Sequence, residues 1–323
     1  MANHLVARPR VALLAPLPAR LIRSGLVCGG LVDTRDSGSD ERVSLRWVKR
    51  HVDVKQAPRP LTPAWGRSVV RHAALTAGGV IARPPRQPGV RCFYLHAVYD
   101  DQVEVFSRHL KRLQQIGDFV TTSDLLAMLR GEFVPNRPMF HLSFDDGFDN
   151  NYRNAFPVLE ELEIHATFFV PSAYVGSSDQ EAWDLWWMKD RGIRPTRPLD
   201  WRQLREMHAA GHEIGSHTRR HVRLSDISGD ADRLEDEIAG SKREIEDELG
   251  GVCRSIAWPY ETPADFDAAA RSAVECAGYD VCFSAVRGPL VPRQADMMSI
   301  LRHHFEPGWP WLHVRFFAHG GGE

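Results

Sequence analysis

From Cys92 to Phe305, short apolar runs alternate with longer stretches whose apolar residues recur three and four positions apart. The short runs are CFYLHAV (Cys92–Val98), MFHLSF (Met139–Phe144), HATFFVPS (His165–Ser172), HEIGSH (His212–His217), CRSIAWPY (Cys253–Tyr260), DVCFSAV (Asp280–Val286) and MMSILRHHF (Met297–Phe305). They read as strands. FSRHLKRLQQIG (Phe106–Gly117) and NAFPVLEELEI (Asn154–Ile164) read as helices. Asp200 is placed to cap WRQLREMHAAG, with Gln203 three residues on and Gly211 at the end. The Glu-, Lys- and Arg-rich segment Asp230–Leu249, closed by Gly250, is the clearest helix. Thr262 before Pro263, followed by Asp265, predicts the start of a helix through ADFDAAARSAVECAG.

Repeated strand–helix–strand order implies parallel strands covered by helices, hence an α/β barrel or an open α/β sheet. In either, functional groups collect on loops after the C-terminal ends of the strands. The main domain is expected over 91–323. Residues 61–90 are expected to hold a short helix near Trp65–Ile81 and the Pro-rich linker ARPPRQPG. Residues 1–60 mix Arg, Gly, Pro and Asp without periodicity, and poor order is expected there.

Composition narrows this picture. The chain has 323 residues, 43% hydrophobic and 25% charged, as an ordinary packed protein does. Net charge is −2 but segregated: residues 1–91 carry 16 Lys/Arg against 5 Asp/Glu. Such a basic leader suits peripheral contact with an anionic membrane face, or is simply solvated. Nothing in it reads a base sequence, so no nucleic-acid partner is expected. Five cysteines without a CxxC pair argue against a disulfide framework and a thiolate zinc site. No window reaches the roughly 18–20 apolar residues of a membrane span. The run VALLAPLPA after Arg8 and Arg10 is short and carries two prolines, a poor export signal. A cytoplasmic location, at the membrane face if the leader engages it, is the expectation.

Three clusters fall just after predicted strands: Asp145 and Asp146, His217 and His221, and Pro259 and Tyr260. Alone, DDG is also a common turn, and two histidines four apart also occur by chance on an exposed helix. Together, one Asp oxygen and two imidazoles form a mononuclear site with positions left for water, as in a catalytic divalent-metal centre. The second aspartate is then available as a base.

SFDDGFDNNYRNAFPVLEELEIHATFFVPSAYVG, GHEIGSHTRRHVRLSDIS and AWPYET, in that order, closely resemble the polysaccharide deacetylases of the NodB homology group, carbohydrate esterase family 4. The resemblance runs from about Cys92 to Glu306. It implies a distorted (β/α) barrel, makes 91–323 the catalytic domain, and implies metal-dependent removal of an N-acetyl group from an amino sugar. By it Asp145 corresponds to the base and Asp146, His217 and His221 to the metal ligands. The backbone N–H of Tyr260, after Pro259, corresponds to an oxyanion donor. Leu301-Arg302-His303 matches the motif that supplies the acid to the leaving amine. His304 is its alternative, because adjacent strand residues face opposite ways. His303 is preferred on the motif.

The chain departs from the pattern at two places. Where relatives carry a base-orienting arginine stands Ala257, a role Arg302 is placed to take from the next strand. Glu261 replaces the usual glycine after Pro-Tyr. Among the tryptophans of WDLWW, Trp186 is read as a sugar-stacking residue or as part of a loop anchor. His96 is read as lining the barrel floor or as a core histidine.

The expected function is an N-deacetylase using one divalent ion, zinc by ligand type with Co or Ni also suited. Its substrate is an acetylated amino sugar in a polysaccharide or in a lipid- or nucleotide-linked precursor. A hydrolase of a non-sugar amide and a catalytically silent carbohydrate binder on the same scaffold are the other readings. Oligomeric state is unread.

Overall fold

The computed structural model describes residues 49–50, 63–83, 89–178, 181, 196–260 and 262–321. In chain order its elements are α1 (Pro63–Ile81), β1 (Val90–Leu95), α2 (Val103–Ile116), β2 (Asp118–Val120), α3 (Thr122–Arg130), β3 (Met139–Phe144), α4 (Phe156–Glu161) and β4 (Thr167–Val170). Next come α5 (Trp201–Ala209), β5 (Glu213–Ser216), α6 (Ala231–Glu235), α7 (Ser241–Leu249), β6 (Ser255–Ala257), α8 (Ala268–Cys276), β7 (Val281–Phe283), β8 (His303–His304) and α9 (Trp311–Ala318).

The eight strands form one parallel sheet in the order β7-β6-β5-β4-β3-β1-β8, with β2 also on β3. β3 pairs along its full length with β1. Its other side is shared, Met139–His141 pairing with β2 and Ser143–Phe144 with β4. The segment Ile300–His304 joins the two ends of the sheet. Ile300 bridges Phe283 of β7, while His303 and His304 pair with Phe93 and Tyr94 of β1. The result is the distorted (β/α) barrel expected from the sequence.

Side-chain alternation sorts the strands into two faces. Leu142 and Phe144 of β3 and Phe168 of β4 join the core beneath the helices, where the Phe144 and Phe168 rings stack at 4.7 Å. Burying each such ring stabilises by roughly 1.5–3 kcal/mol. Phe169, Ala257 and Phe283 instead fill the barrel interior with residues of α3, which closes its floor. Thr122, at the start of α3, lies 3.1 Å from His141 Nε2 and 2.9 Å from Thr167, so these three side chains bond to one another on the floor.

The helix signal at Asp200 acts as expected, its side chain accepting from the Gln203 N–H in a capping box. Thr262 differs. Its capping box closes only a 3-10 turn, Pro263–Asp265, and α8 starts afresh at Asp267, which accepts from Ala269 and Ala270. The helix expected over Asp230–Leu249 runs as α6, a π-helical turn at Asp236–Gly240, and α7. β2 and α3 are not anticipated by the sequence pattern. The described cysteines Cys92, Cys253, Cys276 and Cys282 are all free.

Candidate active site

β3 delivers the paired aspartates. Its inward positions run His141, Ser143, Asp145, and the backbone then turns through the left-handed region at Asp146 (φ 75°) and Gly147 (φ 63°). Thr218 (φ 62°), His221 (φ 54°) and Tyr260 (φ 67°) share that conformation. It costs a non-glycine residue roughly 1–2 kcal/mol. Four of the six such residues in the described chain therefore lie at or beside one cluster, where strain persists because the surroundings over-determine it.

The turn sends Asp146 toward two histidines. His217 comes directly after β5, and His221 lies on the loop beyond it. Asp146 Oδ1 lies 3.4 Å from His217 Nε2 and 3.2 Å from His221 Nε2, and all three residues are buried. His217 Nδ1 donates to the Ala257 carbonyl at 2.8 Å, which leaves the Nε2 lone pair facing Asp146. The donor set fits a divalent metal. The Asp146 oxygen stands from each imidazole nitrogen at about the 3.3 Å that bonds of about 2.0–2.1 Å to a tetrahedral ion require. Among the described residues this is the one such cluster. Burial alone would raise the Asp146 carboxyl, but the neighbouring imidazoles of His96, His217 and His221 outweigh it and hold Asp146 far below the usual carboxylate range. Burial pushes the His221 imidazole down to about 4 against the pull of Asp146, which favours the neutral form a metal needs.

Asp145 points into the barrel instead. Arg302 Nη1 and Nη2 donate to its two oxygens at 2.9 and 2.8 Å, and Nη1 also donates to Ser143 Oγ at 3.0 Å. Arg302 Nε donates to the Ser284 carbonyl at 2.7 Å, and its guanidinium lies over the Tyr94 ring at 4.5 Å. Arg302, read from the sequence as the residue placed to orient the base, is wholly buried behind Asp145 and pairs with that carboxylate. Ala257 shares the interior with Phe169 and Phe283, the rings flanking the guanidinium. The arginine missing from β6 is thus supplied from beside β8.

Because Arg302 faces inward, its neighbour cannot. His303, the residue preferred on the motif, packs against Phe93 and Phe317 on the helix side. Burial, then Arg91 and Arg287, push its imidazole down to about 4. His304 shares the inward face, its ring 5.2 Å from Tyr94 and 5.6 Å from His96. His96 stands past the end of β1, near enough to act on Asp146, at the mouth of the barrel and not on its floor.

Pro259 is buried after β6, and the Tyr260 ring is held between His221 at 5.1 Å and the Arg223 guanidinium at 4.1 Å. Arg223 also pairs with Asp265. Trp186, its neighbours in WDLWW and Glu261 lie outside the described residues. Two tyrosines the sequence did not single out, Tyr99 and Tyr174, lie near Asp146. Burial first and the Asp146 charge second push Tyr99 up to about 12 and raise Tyr174 further. Both come after strands, β1 and β4, so the placement rule that found the aspartates would have found them.

Residues 134–282 match the polysaccharide deacetylase family model. YxkH of Bacillus subtilis (strain 168), described as a polysaccharide deacetylase, is 24% identical over 204 residues, 63% of this chain and 64% of that protein. The match thus spans a little under two thirds of the relative's length. The structure of IcaB from Ammonifex degensii superposes with a TM-score of 0.61 at 24% identity, covering 74% of this chain and 100% of that one. A de-N-acetylase from Aggregatibacter actinomycetemcomitans gives 0.58 at 19%, covering 71% and 99%. At these identities the structural likeness is one of fold.

Proposed function

We propose that the chain is a metal-dependent N-deacetylase of an acetylated amino sugar, in a polysaccharide or in a lipid- or nucleotide-linked precursor, a reading supported by the match of residues 134–282 to the polysaccharide deacetylase family model. The observation that carries this reading is the division of labour between neighbours. Asp146 is turned to His217 and His221, while Asp145 is clamped by Arg302.

Asp146, His217 and His221 would hold a divalent cation, zinc by ligand type with cobalt or nickel also accommodated, which would supply a Lewis acid for the acetyl carbonyl and lower the pKa of water. Asp145 accepts the proton of the attacking water. Its bidentate pair with Arg302 fixes the carboxylate in one orientation, which is where a general base gains its rate. The Tyr260 backbone N–H, held by the left-handed turn after Pro259, donates to the oxyanion as the carbonyl carbon becomes tetrahedral. His304, on the inward face beside His96, protonates the departing amine as the C–N bond breaks. The products are acetate and a free amino sugar.

The reading is tested by following acetate and primary-amine release from N-acetylglucosamine oligomers, with acetylated small amides as the comparison panel. Stoichiometric acetate and amine from the sugar oligomers is expected. Turnover confined to the small amides would move the substrate class, and no turnover of either with metal bound would leave a silent binder.

A further inference from the structure

Among the described residues, helix α1 is packed on one side only. Gly78 and Gly79 bring it against Phe316 and Leu312 of α9, Thr76 Oγ1 lies 3.2 Å from His313 Nε2, and Arg315 donates to the Gly79 and Ala82 carbonyls. At about 100° per residue, Val69, Val70, Ala73, Ala77, Val80 and Ile81 fall within about a third of the circumference. All six are exposed, Val70 at 69% and Ile81 at 76%. A contiguous bare apolar face of this kind marks an interaction surface.

Charge identifies the occupant. From Val54 to Tyr99 the chain has no Asp or Glu and seven Lys or Arg, among them Arg67, Arg71 and Arg83 on or beside α1. Arg67 borders the apolar arc on the wheel, and α9 beneath adds Arg315 without an acidic residue. An apolar stripe edged by cations fits the boundary of an anionic bilayer, where the stripe enters the acyl region and the cations meet the headgroups. No helix among the described residues is long and apolar enough to cross a membrane, so α1 would lie on the surface. We propose that this face of α1 seats the protein on an anionic lipid surface.

The full chain is floated with phosphatidylcholine vesicles, with and without phosphatidylglycerol. Wild type is expected to partition onto the anionic vesicles and not the neutral ones. Val70→Gln with Ile81→Gln should weaken partitioning about tenfold per side chain, and Arg67→Gln with Arg83→Gln about fivefold per arginine. Circular dichroism and melting temperature should be unchanged, because these side chains are solvent-exposed. Three results would overturn the proposal. Wild type could stay off anionic vesicles, the Val70/Ile81 variant could bind as wild type does, or the face could instead hold a dimer that the same variant splits in sedimentation.

Discussion

Arg302 and Asp145 form a wholly buried bidentate ion pair, 2.8 and 2.9 Å across its two hydrogen bonds, between residues 157 apart in sequence. Removing one partner of such a pair strands the other charge in the interior, at about 3–5 kcal/mol. Arg302→Met should lower the denaturant midpoint accordingly. Arg302→Lys keeps the charge but not the fork. It should recover most of the stability while kcat stays depressed and KM moves little. A lysine variant with wild-type kcat would show that Arg302 is only structural.

The two late histidines separate by substitution. His304→Ala should reduce kcat by about 10²- to 10⁴-fold, the usual range for a general acid. His303→Phe keeps the ring packing against Phe93 and Phe317 and should leave kcat unchanged. The reverse pattern would return the acid role to His303.

The barrel and the Asp146–His217–His221 cluster were legible because parallel strands bring their C-terminal ends together, where aspartates after β3 and histidines after β5 can meet. The face of His303 was legible too, though the motif hid it. If Arg302 reaches inward to Asp145, period-two alternation puts His303 outward and His304 inward. Where pairing stops could not be read. β8 joins β1 through only His303 and His304, β2 is three residues long, and α3 fills a floor whose existence depends on the closed sheet. Thr262 misled for a similar reason, since a capping box specifies the first turn of a helix and not its length.

Acid should weaken the fold through His141. This side chain is buried against Thr122, Thr167 and the Phe283 ring, and burial first, then Arg302, push its imidazole down to about 3. The unfolded imidazole titrates near 6.5. Between these values the unfolded chain takes up a proton that the folded chain refuses. The His141 contribution is therefore intact above about pH 6.5 and is lost as pH falls toward about 3, with a slope of up to about 1.4 kcal/mol per pH unit. His141→Gln should flatten the pH dependence of urea unfolding over that window. An unchanged slope would assign acid sensitivity to other groups.

Gly79 sets how closely α1 approaches α9. A Cβ there would fall on the Leu312 carbonyl. Gly79→Ala should cost about 1–3 kcal/mol, as overpacking does. Hydrogen exchange should locate the loss in residues 63–81 and spare the barrel strands. Uniform loss of protection would mean α1 is integral to the barrel's own stability.

The most direct measurement pairs metal content with acetate release for wild type and Asp145→Asn, each stripped with chelator and reloaded with zinc. Wild type should take up one equivalent and release acetate from N-acetylglucosamine oligomers, while Asp145→Asn takes up the same metal and releases almost none. Full activity in Asp145→Asn, or wild type that never retains the ion, would contradict the assignment of Asp146, His217 and His221 to the metal and Asp145 to the water.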